Sequence, residues 1–285
     1  MHRKLSLSHK DSDSTLVDAL EHLEIKNEIQ PDKQPKAKTE LQKLIDEHLK
    51  PSLEKKKDVW DELPRNHPLF DSAKLMCKKY DLPAQSFHNF RELLVGNLDL
   101  PVILLQNPKN DHLNYGRMVH YTRSLLWLHD ILQCHGLAID NVIIMNLFPM
   151  LTDEWLGCTD TDKKKDAIKD SFNLTLQFLQ TVKPPIILSF QCFASGYEPE
   201  RWGIQNDPVI HSLSSSIYRA RKEKVQKISL DEHSFHVIQG FPPAAIWDQE
   251  VLERSRMECN LADIMREVYK PCGQWKNCQL ARVRL

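Results

Sequence analysis

The chain has 285 residues, 41% of them hydrophobic and 27% charged, with a formal net charge of −1. That is enough apolar chain for one large domain with an arm, or for two small domains. The near-zero charge removes any global electrostatic argument for nucleic-acid binding and leaves only a local patch to supply one.

Residues 1–39 are polar and charged, carry Pro31 and Pro35, and read as a disordered arm. The start, "MHRKLSLSHKDSDS", has no apolar stretch and mixes acid with base, so neither a signal nor a transit peptide is expected. From Thr39 the pattern turns helical. Leu41, Leu44, Ile45 and Leu49 share a face, and Leu53, Val59 and Trp60 follow Pro51. "LPRNHPLF" (63–70) is a break, and 70–95 reads as one or two further short helices. The spacing thus implies a helical extension over 40–96 in front of a domain over 97–285. All eight glycines lie at or after Gly96.

In the domain, four apolar runs read as strands: "VILLQ" (102–106), "VIIMN" (142–146), "IILSF" (186–190) and "FHVIQ" (235–239). Helical patterns separate them. Tyr121, Leu125, Leu128 and Leu132 are spaced for one helix face, and so are Ile168, Phe172, Leu176 and Leu179. Residues 249–270 read as a last helix. Strands alternating with helices imply an α/β fold: three α/β/α layers around a central four-stranded parallel sheet, with an N-terminal helical arm.

The strand ends then share one edge, where open α/β sheets bind ligands. "QNPKND" (106–111), "NLFPML" (146–151), "QCFASGY" (191–197) and "QGFPPAA" (239–245) meet there. A carboxamide such as Asn146 costs free energy if buried without partners, so it either positions a loop or belongs to a pocket. Proline stiffens such loops, and rigid loops with carboxamides suit a planar polar ligand.

In order and spacing, these segments resemble the uracil-DNA glycosylase superfamily over roughly Pro101 to Trp247. "VILLQNPKND" is similar to its first strand and water-positioning loop. "GRMVHYTRSLLWLHDILQCHGLAIDNVIIMNLFPM" is similar to the helix and second strand that end in an Asn. "FNLTLQFLQTVKPPIILSFQCFA" resembles the long helix, Lys-Pro step and third strand, and "FHVIQGFPPAAIW" the last strand and its His-Pro-Ser-type loop. The resemblance implies hydrolysis of the N-glycosidic bond of a flipped-out uracil or related base. It implies catalytic roles for Asn107, with Asp111 a few residues on. A base pocket would be made by Gln106, Pro108, Asn146, Tyr121 and Phe241.

Several positions depart from the family pattern. Phe241 stands where a His or Asn hydrogen-bonds the departing base, and loss of such a donor typically costs ~10²–10³ in rate. Leu105 replaces a glycine of the first loop, and Gln191 stands where the third strand normally ends in Leu-Gly. A gapless reading puts Val119 at the base-stacking position, with His120 and Tyr121 beside it. Two readings follow: a DNA glycosylase, or a catalytically inactive member of the fold that binds nucleobases or nucleic acid or serves as an interaction module.

The run Arg219–Lys227 has the charge of a solvated helix face, and Arg219, Arg221, Lys222 and Lys224 are the phosphate-binding candidates. The expected partner is single-stranded or mismatched DNA, bound by a monomer. Asp153–Glu154 reads as surface. Ser195 lacks the Gly-x-Ser-x-Gly frame of a hydrolase, and His211, His233 and His236 show no metal-ligand spacing. The seven cysteines are odd in number and scattered, and the pair Cys272 and Cys278 has no matching second pair, so no metal or other cofactor is expected. The same usage points to a reduced intracellular setting, nuclear or cytoplasmic. No run approaches the ~20 apolar residues of a membrane helix.

Overall fold

The computed structural model describes residues 38–56, 61–109, 113–195, 204 and 207–283. The arm expected over 1–39 lies outside the described residues up to residue 37, and so do Val59 and Trp60.

The fold is α/β. Five strands form one mixed sheet in the order β2-β1-β3-β5-β4: β1 (Val102–Leu105), β2 (Ile144–Asn146), β3 (Ile186–Ser189), β4 (Val225–Leu230) and β5 (His233–Gln239). The four expected strands run parallel, and β4 adds an antiparallel edge beside β5. Both faces are covered, which is why the parallel strands are apolar at nearly every position. Ile103, Ile144, Leu188 and Ile238 belong to one core, and Val102, Leu104, Met145, Ile187 and Val237 to the other.

The first core is closed by the helix α6 (Arg123–Cys134), by the last helix α11 (Val251–Val283) and by the N-terminal helical stretch. That stretch runs through α1 (Glu40–Leu44), a π-helical turn (Ile45–Leu49) and α2 (Lys50–Lys55). Its expected apolar face is the buried one: Leu41, Leu44, Ile45, Leu49 and Leu53 all pack into the same core as the sheet. Thr39 and Gln42 form a capping box at its start. The second core is closed by α3 (Pro68–Tyr80), α4 (Ala84–Leu93), the long α8 (Thr161–Val182) and the short α9 (Pro208–Leu213).

The expected four-stranded parallel sheet is thus a five-stranded mixed one, and two further expectations change. The basic run is not one helix face. Arg219 lies in the short helix α10 (Ile217–Ala220), the chain turns through Arg221–Glu223 with Glu223 at φ 49°, and Lys227 stands on β4. β4 buries only Ile228 and exposes Lys227 and Ser229. An edge strand tolerates such charges because one of its sides has no ladder partner. A two-residue turn at Asp231–Glu232, with Asp231 left-handed, joins it to β5. The second change concerns Tyr121. The helix over this stretch breaks at Thr122 (φ −93°, ψ 115°), so α5 (Tyr115–Tyr121) ends there and α6 restarts with a new phase. Leu125, Leu128 and Leu132 are buried, whereas Tyr121 is 72% exposed.

Two histidines make stability depend on pH. Burial, aided by His48 and Lys227, lowers the pKa of His236, and burial with Arg266 and Lys270 lowers that of His135. The unfolded chain therefore takes up protons first as pH falls through the ordinary histidine range, and folding loses free energy until the folded rings protonate in turn. Urea midpoints are expected to fall between about pH 7.5 and about pH 5.5, above the range where carboxylates titrate. The decline should shrink in His236→Gln; an unchanged slope would remove His236 as a source.

Candidate functional site

β1, β2, β3 and β5 are parallel, so their carboxyl ends form one edge. Pairing continues past β1 and β2: Leu147 N–H donates to Leu105 O at 2.7 Å and Phe148 N–H to Gln106 O at 2.8 Å. The long helix α8 fixes the following loop from the side. Its Thr175 hydroxyl donates to the carbonyls of Asn146 and Leu147 at 3.0 Å, and Ser171 donates to Pro149 O at 2.7 Å.

Asn146, the last residue of β2, is 3% exposed. It lines a cavity of about 10 Å³ together with Asn89, Pro108, Met118, Met150 and Thr152. That is about the minimum for one water, against ~300 Å³ or more for small-molecule sites. Asn146 and the first loop therefore meet, but around a space far smaller than a base.

Asn107 is committed elsewhere. Its Nδ2 group faces three acceptors: Pro108 O at 3.1 Å, Leu151 O at 3.3 Å and the Asp153 carboxylate at 2.9 Å. Asp153 opens helix α7 (Asp153–Cys158), whose N-terminus is capped by Thr152. A carboxylate is favoured at the positive end of a helix, and here it also anchors the Asn107 amide. Asp153 is exposed, as expected, and it also ties the first loop to the second. The sequence signal was Thr152 followed by Asp and Glu, a helix-start pattern.

Of the remaining expected residues only Pro108 meets Asn146. Gln106 and Pro108 are half-buried on the first loop. Phe241 is fully buried in the core with Ile238, Ile246 and Leu261, and is not among the residues lining the Asn146 cavity. Tyr121 projects into solvent. Asp111 lies outside the described residues.

A second polar group fills the middle of the edge. Gln191 is fully buried; it donates to Leu213 O at 2.7 Å and accepts from Phe193 N–H at 2.9 Å. Ser189 also donates to Leu213 O, and Ser215 donates to Gly240 O. Beside Ser189 in register stands Gln239, 1% exposed, with neither amide atom partnered. Each such buried group costs about 1–3 kcal/mol. Gln239 holds the same place at the end of β5 that Asn146 holds at the end of β2, and "FHVIQ" carries that signal.

The basic run lies at the same edge, because β4 begins opposite the end of β5: Val225 faces Ile238. Two of its cations are neutralised, Arg221 by Glu253 and Lys224 by Glu40. Lys222 sits 4.2 Å over the Tyr218 ring and bonds its hydroxyl. Arg219 is exposed, with no ion-pair partner among the described residues. Tyr218 is 66% exposed. Arg123 reaches Asp248 at 4.0 Å, and the Ser124 hydroxyl accepts from Ala244 N–H, so the start of α6 lies against the loop that follows β5.

No protein-family model matches the chain, and no curated protein is significantly similar to it.

Proposed function

We propose that this protein is a binding module for single-stranded nucleic acid with the build of a uracil-DNA glycosylase, and that it does not excise bases efficiently. The observation that carries the second half is the small size of the cavity at Asn146. About 10 Å³ admits a water but no base, and the Asn107 amide that would position the water is bound to Asp153 and Leu151. The buried phenyl of Phe241 adds nothing that can donate to a departing base.

Support for nucleic acid comes from the surface around that edge. Tyr121 and Tyr218 are largely exposed, Arg219 is exposed, and Lys222 stands against the Tyr218 ring. Aromatic platforms beside cations are what sequence-tolerant binding of single strands uses, at about 1–3 kcal/mol per stacked base. The candidate set Arg219, Arg221, Lys222 and Lys224 narrows to Arg219 and Lys222, since the other two already have carboxylate partners.

The test uses labelled single strands and duplexes carrying one uracil, read by alkali cleavage and by fluorescence anisotropy. No alkali-labile product is expected from either. Single strands should bind, and the affinity should fall steeply between about 50 and 200 mM salt. The pair of substitutions Arg219→Glu and Lys222→Glu should weaken binding about tenfold or more. A single strand that does not bind would sink the nucleic-acid reading. The glycosylase reading keeps one specific support: Asn146 and Pro108 share a cavity. Product that disappears in Asn146→Ala would establish it.

A further inference from the structure

At the opposite, amino-terminal edge of the sheet lies a cleft of about 280 Å³. Leu49 and Ile186 give it an apolar floor. His48 comes from the N-terminal helical stretch, Ser234 and His236 from β5, and Asp99 from the segment that enters β1. The two imidazole rings stand with centroids 4.8 Å apart and planes inclined by 39°.

Asp99 is the unusual member. One carboxylate oxygen takes Lys56 Nζ at 2.7 Å, and the Asp99 backbone N–H donates to Asn97 at 2.7 Å. The other oxygen, Oδ2, is buried and has no hydrogen-bond partner, and the side chain as a whole is only 11% exposed. An acceptor desolvated in this way is costly unless something donates to it.

We propose that this cleft binds a planar, neutral heterocycle bearing an N–H donor, of the size of one nucleobase or nucleoside. Lys56 already answers the charge of Asp99, so what is missing is a donor and not a second cation. Lys227, opposite His236 in the β4–β5 register, also disfavours a cationic ligand, while the open Asp99 oxygen is an acceptor and gives an anion no donor to bond. Burial lowers the His236 pKa, which keeps that ring uncharged at neutral pH and leaves it as an aromatic face. The volume lies just under the ~300 Å³ lower end of small-molecule sites, enough for one ring system and too little for a larger ligand.

The site is independent of the strand-end surface, so either proposal survives the failure of the other. The probe is guanosine, titrated into the whole protein at neutral pH while the ring protons of His48 and His236 are followed by NMR. Caffeine, a purine of similar size with no N–H donor, is the control. Guanosine is expected to give saturable, sub-millimolar shifts, and caffeine none. Asp99→Ala should weaken guanosine about tenfold or more. Because that substitution also frees Lys56, a second variant fills the cleft instead: Ser234→Trp, at an exposed position, should abolish the shifts with the Asp99–Lys56 pair intact. The proposal is overturned by any of three results: no saturation with guanosine, caffeine binding as well as guanosine, or undiminished affinity in either variant.

Discussion

Phe241→Ala is expected to lower stability by about 3–5 kcal/mol, the cost of removing a buried aromatic ring and leaving a cavity. The ring has no exposed surface, and it belongs to the same buried core as Ile238 of β5, Ile246 of the following turn and Leu261 of the last helix. The loop that carries it is fixed at both ends. Gly240 N–H donates to Ser189 O at 2.9 Å, and Ala244 N–H to Ser124 at 3.2 Å. With little freedom to collapse, the site should retain most of the void. Urea unfolding checks this through a lower midpoint at unchanged slope. A loss below about 1 kcal/mol would instead be the mark of a partly solvated pocket wall. The same variant should bind single strands as the parent does, since the ring does not reach the surface that holds Tyr218 and Arg219.

The core was far more legible in the sequence than the site. "VILLQ", "VIIMN", "IILSF" and "FHVIQ" all supply parallel strands, because a strand buried on both faces writes an uninterrupted apolar run. "VQKISL" did not announce itself, because an edge strand interleaves polar residues and here follows a charge run that looks helical. Tyr121 was misplaced for a local reason: spacing arguments assume an unbroken helix, and the extended backbone at Thr122 resets the phase. The site depends on contacts that no local pattern encodes. The cavity at Asn146 is lined by Asn89 of α4, Met118 of α5 and Met150 of the loop after β2, residues far apart in the chain. Asn107 is withdrawn by Asp153, a residue 46 positions away. Asn146 itself was legible as a carboxamide at a strand end, yet neither the volume in front of it nor the company it keeps could be read from the chain.

The second large effect concerns Gly96, the first glycine in the chain. It lies between the α4 helix and β1, where the backbone passes directly against the approach to β2. A Cβ at this position would stand 2.5 Å from Ile143 N and 2.6 Å from the carbonyl carbon of Val142. Both neighbours are backbone, so no side chain can swing aside. The close approach is held by Asn97 N–H donating to Asn141 O at 3.1 Å and by Leu98 N–H donating to Asp61 O at 2.8 Å. Gly96→Ala must therefore push apart two segments that both enter the sheet. A loss of about 2–4 kcal/mol is expected, at or above the usual cost of overpacking. Gly116→Ala is the contrasting variant. Nothing lies within 4 Å of its added Cβ, and the residue sits inside the helix Tyr115–Tyr121. Alanine there should be neutral or stabilising by up to about 1 kcal/mol through its better helix propensity. Opposite signs at these two glycines, read by thermal and urea unfolding, would establish that Gly96 is required for backbone contact and not for conformational freedom. Equal and small effects would mean that the 95–98 segment can move away from β2, and that the β2 end bearing Asn146 is less firmly held than its hydrogen bonds imply.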